Sequence, residues 1–132
     1  MKKDEKMSIE DMTVYMRIVP ERAASYAEFP DTMNGEIQDY LRKQGIHALY
    51  THQTEMYEKA GQGENTVITT STASGKTLAF LLPVLQKILE DPLTRAVFVY
   101  PTKALASDQY RALKPVLEYF GVGKIQARVY DG

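Results

Sequence analysis

The chain has 132 residues, enough for one domain with a single core, and 44% hydrophobic against 25% charged residues marks it as a globular, soluble chain. A net charge of −1 excludes both a bulk basic field for nucleic acid and an acidic disordered tail, so any nucleic-acid contact must rest on local placement of Lys and Arg. The absence of cysteine excludes disulfides, thiolate metal sites and a Cys nucleophile and fits a reducing cytoplasm; no apolar run approaches the roughly 18 residues of a membrane span, and Met1 to Lys6 leads into no apolar segment of a signal peptide.

In chain order, residues 1–8 are expected to fray. Over 9–19, Met12, Val14, Met16 and Ile18 alternate as a strand would, while Met12, Tyr15 and Met16 fit a helical stripe equally well. Pro20 to Ala24 predicts a helix opening, with Pro at its first position and an acid in its first turn, and Phe29-Pro30 closes it. From Asn34 a second helix places Ile37, Tyr40 and Leu41 on one face and stops at Gly45. A third runs from Thr51 to Ala60 and stops at Gly61, with a turn through Asn65. It carries Gln53.

The next stretch organises the rest. Thr66 to Thr69 is β-branched enough to favour a buried strand, and the small residues Thr70 to Gly75 let the backbone turn sharply with several N–H groups converging. A helix opening at Gly75 or Lys76 then turns its unpaired N–H groups and positive dipole end toward that loop, which makes an anion site. Lys76 would reach the β/γ-phosphates of a nucleotide, and the Thr77 hydroxyl would take a Mg²⁺ position. The usual pattern begins with Gly where Thr70 stands here, so Gly75-Lys76-Thr77 is the part that matches strictly.

The helix continues to residue 90, with Pro83 expected to kink or restart it, and Asp91-Pro92 closes it. Ala96 to Tyr100 is apolar on both faces, as a strand in a covered parallel sheet is. Pro101-Thr102-Lys103 is a tight exit, a helix interrupted by Pro115 follows from Ala104 to about Tyr119, and Ile125 to Tyr130 reads as the last strand. Alternating strands and helices imply an α/β fold with right-handed parallel crossovers and ligands at the carboxyl ends of the strands.

Three segments, in order, resemble motifs of superfamily-two helicases of the DEAD/DEAH type. Gly45-Ile46-His47-Ala48-Leu49-Tyr50-Thr51-His52-Gln53 looks like the Q motif, Thr72-Ala73-Ser74-Gly75-Lys76-Thr77 like motif I, and Tyr100-Pro101-Thr102-Lys103-Ala104-Leu105-Ala106-Ser107-Asp108-Gln109 like motif Ia. The wording is most similar to that of the YprA/MrfA-type ATP-dependent DNA helicases, over residues 20–132. The resemblance implies an incomplete RecA-like P-loop domain: a parallel sheet flanked by helices, with a helical N-terminal extension over 1–30 and the helicase portion over 31–132.

It also implies roles. Gln53 would offer its amide to the adenine edge, for which one carboxamide supplies the donor and the acceptor. Thr72, Ala73, Ser74, Gly75, Lys76 and Thr77 would hold ATP and Mg²⁺, with Lys76 and Thr77 the residues nearest the chemistry. Thr102 and Lys103 would hold a phosphate of single-stranded nucleic acid, DNA on the resemblance, at the start of a helix. Tyr50 and Tyr57 are weaker candidates for stacking on a base, Arg111 and Lys114 read as solvent-facing, and His47 and His52 have no partners at metal-ligand spacing.

The family pattern continues beyond what is written here. Its acidic Asp-Glu motif has no counterpart among these residues, since Asp4-Glu5 lies in the tail and Glu90-Asp91 ends a helix, and in the family that motif and a second RecA-like domain with its arginine would follow. The resemblance therefore implies the ATP-binding part of a helicase that by itself neither hydrolyses ATP nor unwinds a duplex, and whose partner is the rest of the helicase core. In this fold, strands from later in the chain lie between those at 66–70 and 96–100, so the segment is expected to be poorly stable alone. Two other readings stand beside it: a non-catalytic nucleotide-binding or interaction module, and a small P-loop kinase, for which the Pro101-Thr102-Lys103 run has no use.

Overall fold

The computed structural model describes residues 18–19, 25–69, 75–121 and 123–130. The elements run β1 (Ile18–Val19), β2 (Tyr26–Ala27), α1 (Gly35–Lys43), β3 (Leu49–Tyr50), α2 (Thr51–Gly61), β4 (Val67–Ile68), α3 (Lys76–Glu90) and α4 (Lys103–Phe120). They divide into two units, Met1–Phe29 with Ala48–Pro83 and Pro30–His47 with Val84–Gly132.

In the first unit β1 pairs in parallel with β4, Ile18 opposite Val67 and Val19 opposite Ile68. β2 pairs antiparallel with β3, Tyr26 opposite Tyr50 and Ala27 opposite Leu49. Among its described residues Leu49, Tyr57, Ala79, Leu81 and Leu82 are buried and apolar. The strand expected at 66–69 is thus present but short. It is also not buried throughout: Val67 is 45% exposed, and among the described residues β4 pairs with β1 alone. Where the sequence suggests a helical extension, the described residues 18–19 and 26–27 are strands; the expected helix at Pro20 to Ala24 lies outside the described residues.

The second unit is built on α1. Asn34 caps it by accepting the Glu36 amide at 2.8 Å, and Ile37, Tyr40 and Leu41 form its buried stripe as the spacing predicts. It ends on Gly45 at φ +78°, whose amide reaches Arg42 O at 3.0 Å while that of Ile46 reaches Leu41 O at 2.9 Å. These paired bonds are the Schellman stop, which needs a left-handed residue and so a glycine. Tyr40 packs on Tyr119 and Phe120, with ring centres 5.1 and 5.8 Å apart, and Leu85, Val116 and Ile125 are buried with them.

α2 ends at Gly61 as its sequence suggests, and its stop is completed two residues further on. Gly61 is still helical, and the left-handed residue is Gly63 at φ +80°, whose amide bonds Ala60 O at 3.1 Å while that of Glu64 bonds Lys59 O at 3.0 Å. Gln-Gly after Gly61 offers a second glycine two positions on, and the chain uses it.

Neither proline divides its helix. Pro83 lies within α3 and Pro115 within α4, each in an unbroken span. The lost N–H bond is one of many in helices of 15 and 18 residues, so the neighbouring turns hold the backbone in place. The strands expected at 96–100 and 125–130, by contrast, are not formed: both segments lie outside any strand. A strand requires a neighbour to complete its ladder, and here Val97 and Val99 face solvent at 85% and 86% exposure. Of the expected parallel sheet, the described residues hold one parallel pair.

Candidate nucleotide-binding site

The first unit brings together Gln53, Gly75 and the start of α3. β3 leads directly into α2, with Tyr50 as the cap residue, and Gln53, at the third helical position, turns its side chain back so that Oε1 accepts the Tyr50 amide at 2.9 Å. This is the return half of a capping box. A second anchor comes from Ser25, whose carbonyl accepts both the amide and the hydroxyl of Thr51, at 3.0 and 2.8 Å; the Ser25 and Thr51 hydroxyls also touch.

The other end of the same carboxamide leaves α2. Gln53 Nε2 donates to the Gly75 carbonyl at 3.0 Å, and Gln53 is 3% exposed. Gly75 sits at φ +70°, and a Cβ there would run into Gln53 Nε2. Position 75 is therefore held to glycine twice, by its backbone angle and by a close approach. Its carbonyl also accepts the Ala79 amide at 3.1 Å, the bond that opens α3.

α3 begins at Lys76, with Thr77 exposed on its first turn. The amides of a first helical turn, an ammonium and a hydroxyl oxygen are the groups that a nucleotide phosphate with Mg²⁺ requires, so these residues fit that group. Thr72, Ala73 and Ser74 lie outside the described residues.

The aromatic candidates separate by burial. Tyr57 is 5% exposed and belongs to the core, so it presents no face to a base. Tyr50 stacks with Tyr26, 5.0 Å away at 28°, and with His52, 5.4 Å away at 9°. Tyr26 is 63% exposed, and nothing in its sequence setting marks it. Its hydrogen bond with Tyr50 holds its hydroxyl proton above the usual tyrosine range.

In the second unit Thr102 caps α4, its hydroxyl accepting the Leu105 amide at 3.1 Å, and Lys103 is exposed at the first helical position. Arg111 pairs with Asp108 at 3.3 Å on an exposed face, and Lys114 is exposed as expected. Among the described residues no cluster of His, Asp and Glu could hold a metal ion, and no helix is long and apolar enough to cross a membrane.

Comparison with known proteins decides the family: the family described as DEAD/DEAH box helicase matches residues 50–132. The chain belongs to the DEAD/DEAH box helicases. ATP-dependent helicase YprA of Bacillus subtilis is 42% identical over 111 residues, which are 84% of this chain and 15% of that protein. ATP-dependent helicase HRQ1 of Saccharomyces cerevisiae is 37% identical over 99 residues, 75% of this chain and 9% of that protein.

Among solved structures, the helicase MrfA bound to DNA matches with a TM-score of 0.77 at 42% identity, covering 84% of this chain and 16% of MrfA. MrfA bound to DNA and AMPPNP matches with a TM-score of 0.78 at 38% identity, over 94% of this chain and 18% of MrfA. The fold is accordingly RecA-like α/β, and the chain spans less than a fifth of these relatives.

Proposed function

We propose that the chain is the ATP-binding part of an ATP-dependent helicase acting on DNA. The observation that carries this is the opening of α3: a left-handed Gly75, held against the Gln53 carboxamide, sets the first turn at Lys76 and Thr77. Family membership and the AMPPNP and DNA in the MrfA structure support the reading.

In it Thr72, Ala73, Ser74 and Gly75 surround the nucleotide phosphates with backbone amides, Lys76 meets the β/γ-phosphates, and the Thr77 hydroxyl is a Mg²⁺ ligand. Gln53 belongs to the same site. Bound Mg²⁺ supplies charge neutralisation between the phosphates. Thr102 and Lys103 hold a phosphate of single-stranded DNA, where the exposed Lys103 ammonium adds to the first amides of α4. Residues 31–132 are the N-terminal portion of the first RecA-like domain, behind an extension over 1–30, and the protein works in the cytoplasm.

These 132 residues carry no Asp-Glu pair after an apolar strand to order an attacking water, and so bind ATP without hydrolysing it or unwinding a duplex.

A titration of a fluorescent ATP analogue with Mg²⁺ tests the site. Saturable binding is expected, weakened at least about tenfold by Lys76→Ala, or ~1.4 kcal/mol. Absence of saturable binding, or binding indifferent to Lys76→Ala, rules the site out.

A further inference from the structure

Asn34 and Gly35 place a reactive bond at the cap of a helix. Asparagine is among the thermolabile residues, and a glycine after it leaves the amide nitrogen between them unhindered. Gly35 is the first residue of α1, where the helix offers its N–H no partner and the positive end of the dipole favours loss of the proton. It is exposed, so water reaches the pair. The side chain within reach of that nitrogen is the cap itself: Asn34 Oδ1 accepts Glu36 N at 2.8 Å, and Asn34 N donates to Gln86 Oε1 at 2.8 Å.

Geometry decides between reaction and protection. Attack of Gly35 N on Asn34 Cγ closes a five-membered ring, which requires that nitrogen and the Asn34 Cβ to be nearly eclipsed about the Cα–C bond. At ψ 134° they stand well apart, and the Glu36 amide holds the carboxamide away from the ring-closing position.

We propose that Asn34-Gly35 is a deamidation site gated by the cap of α1, closed to reaction while the first turn is formed and open when that turn frays. In the open state hydroxide takes the Gly35 amide proton and the nitrogen forms a bond to Asn34 Cγ. The Cγ–Nδ2 bond then breaks as Nδ2 takes a proton from water and leaves as ammonia. Water opens the cyclic imide: cleavage at Cγ leaves Asp, and cleavage at the main-chain carbonyl leaves isoaspartate, with the chain routed through Cβ. The net change is NH₂ for OH, and nothing is oxidised or reduced. Asp keeps an oxygen for Glu36 N and adds a charge that a helix start favours. Isoaspartate lengthens the main chain by one carbon just ahead of the buried Ile37-Tyr40-Leu41 stripe, which takes the cap oxygen off the first turn.

The test follows Asn34 in the full chain at neutral pH by mass spectrometry and an isoaspartate assay, with and without denaturing guanidinium. The unaltered chain is expected to react at least about tenfold more slowly without denaturant, the factor for a local opening of ~1.4 kcal/mol. Gln86→Ala, which frees Asn34 N, should react roughly three to ten times faster than the unaltered chain without denaturant and equally fast in it. Gly35→Ala should be slow in denaturant too, because its methyl group hinders the attack; a Cβ at this position meets nothing in the fold.

Equal rates for the unaltered chain in the two conditions overturn the gate, and this comparison carries the test where circular dichroism shows Gln86→Ala to be unfolded. A folded Gln86→Ala chain that reacts no faster than the unaltered one also overturns it. Asp formed without isoaspartate, or Gly35→Ala as fast as the unaltered chain in denaturant, removes the ring and the site with it.

Discussion

Lys124 closes on Glu36 from 88 positions away, its ammonium 3.0 and 2.9 Å from the two carboxylate oxygens. Both side chains are about half exposed, at 55% and 52%, so water and salt screen the pair. Lys124→Gln is expected to lower stability by less than about 1 kcal/mol, and high salt should erase the difference in urea unfolding. Leu41→Ala, by contrast, empties a site of 0% exposure and should cost about 2–5 kcal/mol at any salt concentration.

Gly61 and Gly63 predict opposite signs. Both have open space where a Cβ would stand, so only backbone conformation separates them. Gly61→Ala adds a better helix former at the last turn of α2 and should stabilise by about 0.5–1 kcal/mol. Gly63→Ala forces a side chain into φ +80° and should destabilise by roughly 1–2 kcal/mol. Thermal melts of the two variants decide it; equal shifts would place the stop at neither glycine.

Thr102 and Lys103 are neighbours in sequence with separable jobs. Thr102→Ala removes the α4 cap and is expected to cost about 1 kcal/mol in urea unfolding. Lys103→Ala, at an exposed position, should leave stability within about 0.5 kcal/mol. Instead it should lower affinity for single-stranded DNA and reduce the salt dependence of binding by about one phosphate contact. An unchanged salt slope would remove Lys103 from the DNA surface.

Gln86 links the cap of α1 to the last residue of α3. Its Oε1 accepts the Asn34 amide at 2.8 Å and its Nε2 donates to Glu90 at 2.7 Å, and this donation, with Lys87 at 3.3 Å, holds the Glu90 carboxyl below the usual carboxylate range. A lowered folded-state value means that the ionised form is the one the fold favours. Its stabilising contribution is therefore present above the ordinary carboxylate value and is lost as pH falls through the folded one. Gln86→Ala should flatten the acid limb of stability measured between neutral pH and about pH 3; a limb of unchanged slope would mean the contact is idle in solution.

The helices were legible because their information is local. Asn34, the Ile37-Tyr40-Leu41 stripe and Gly45 lie within one short stretch, and each does what its spacing predicts. The end of α2 was harder to read because Gly61 and Gly63 compete, and only the paired amide bonds at Ala60 and Lys59 choose between them. The Gln53 contacts were hidden for a related reason: a Gln at the third helical position signals a capping box when Ser or Thr is the cap, and here the cap is Tyr50. The second partner of Gln53, Gly75, is 22 residues away. The apolar run at 96–100 has the composition of a strand, but composition cannot supply the neighbour that a ladder needs.

That run carries a practical consequence. Val97 and Val99 turn two bare isopropyl groups to solvent at 85% and 86% exposure, on a backbone whose sequence favours extension. A surface of that kind meets its own copies more often as concentration rises. For anyone preparing the protein, Val97→Thr and Val99→Lys are thus the first substitutions to make for solubility, ahead of any change of buffer or temperature.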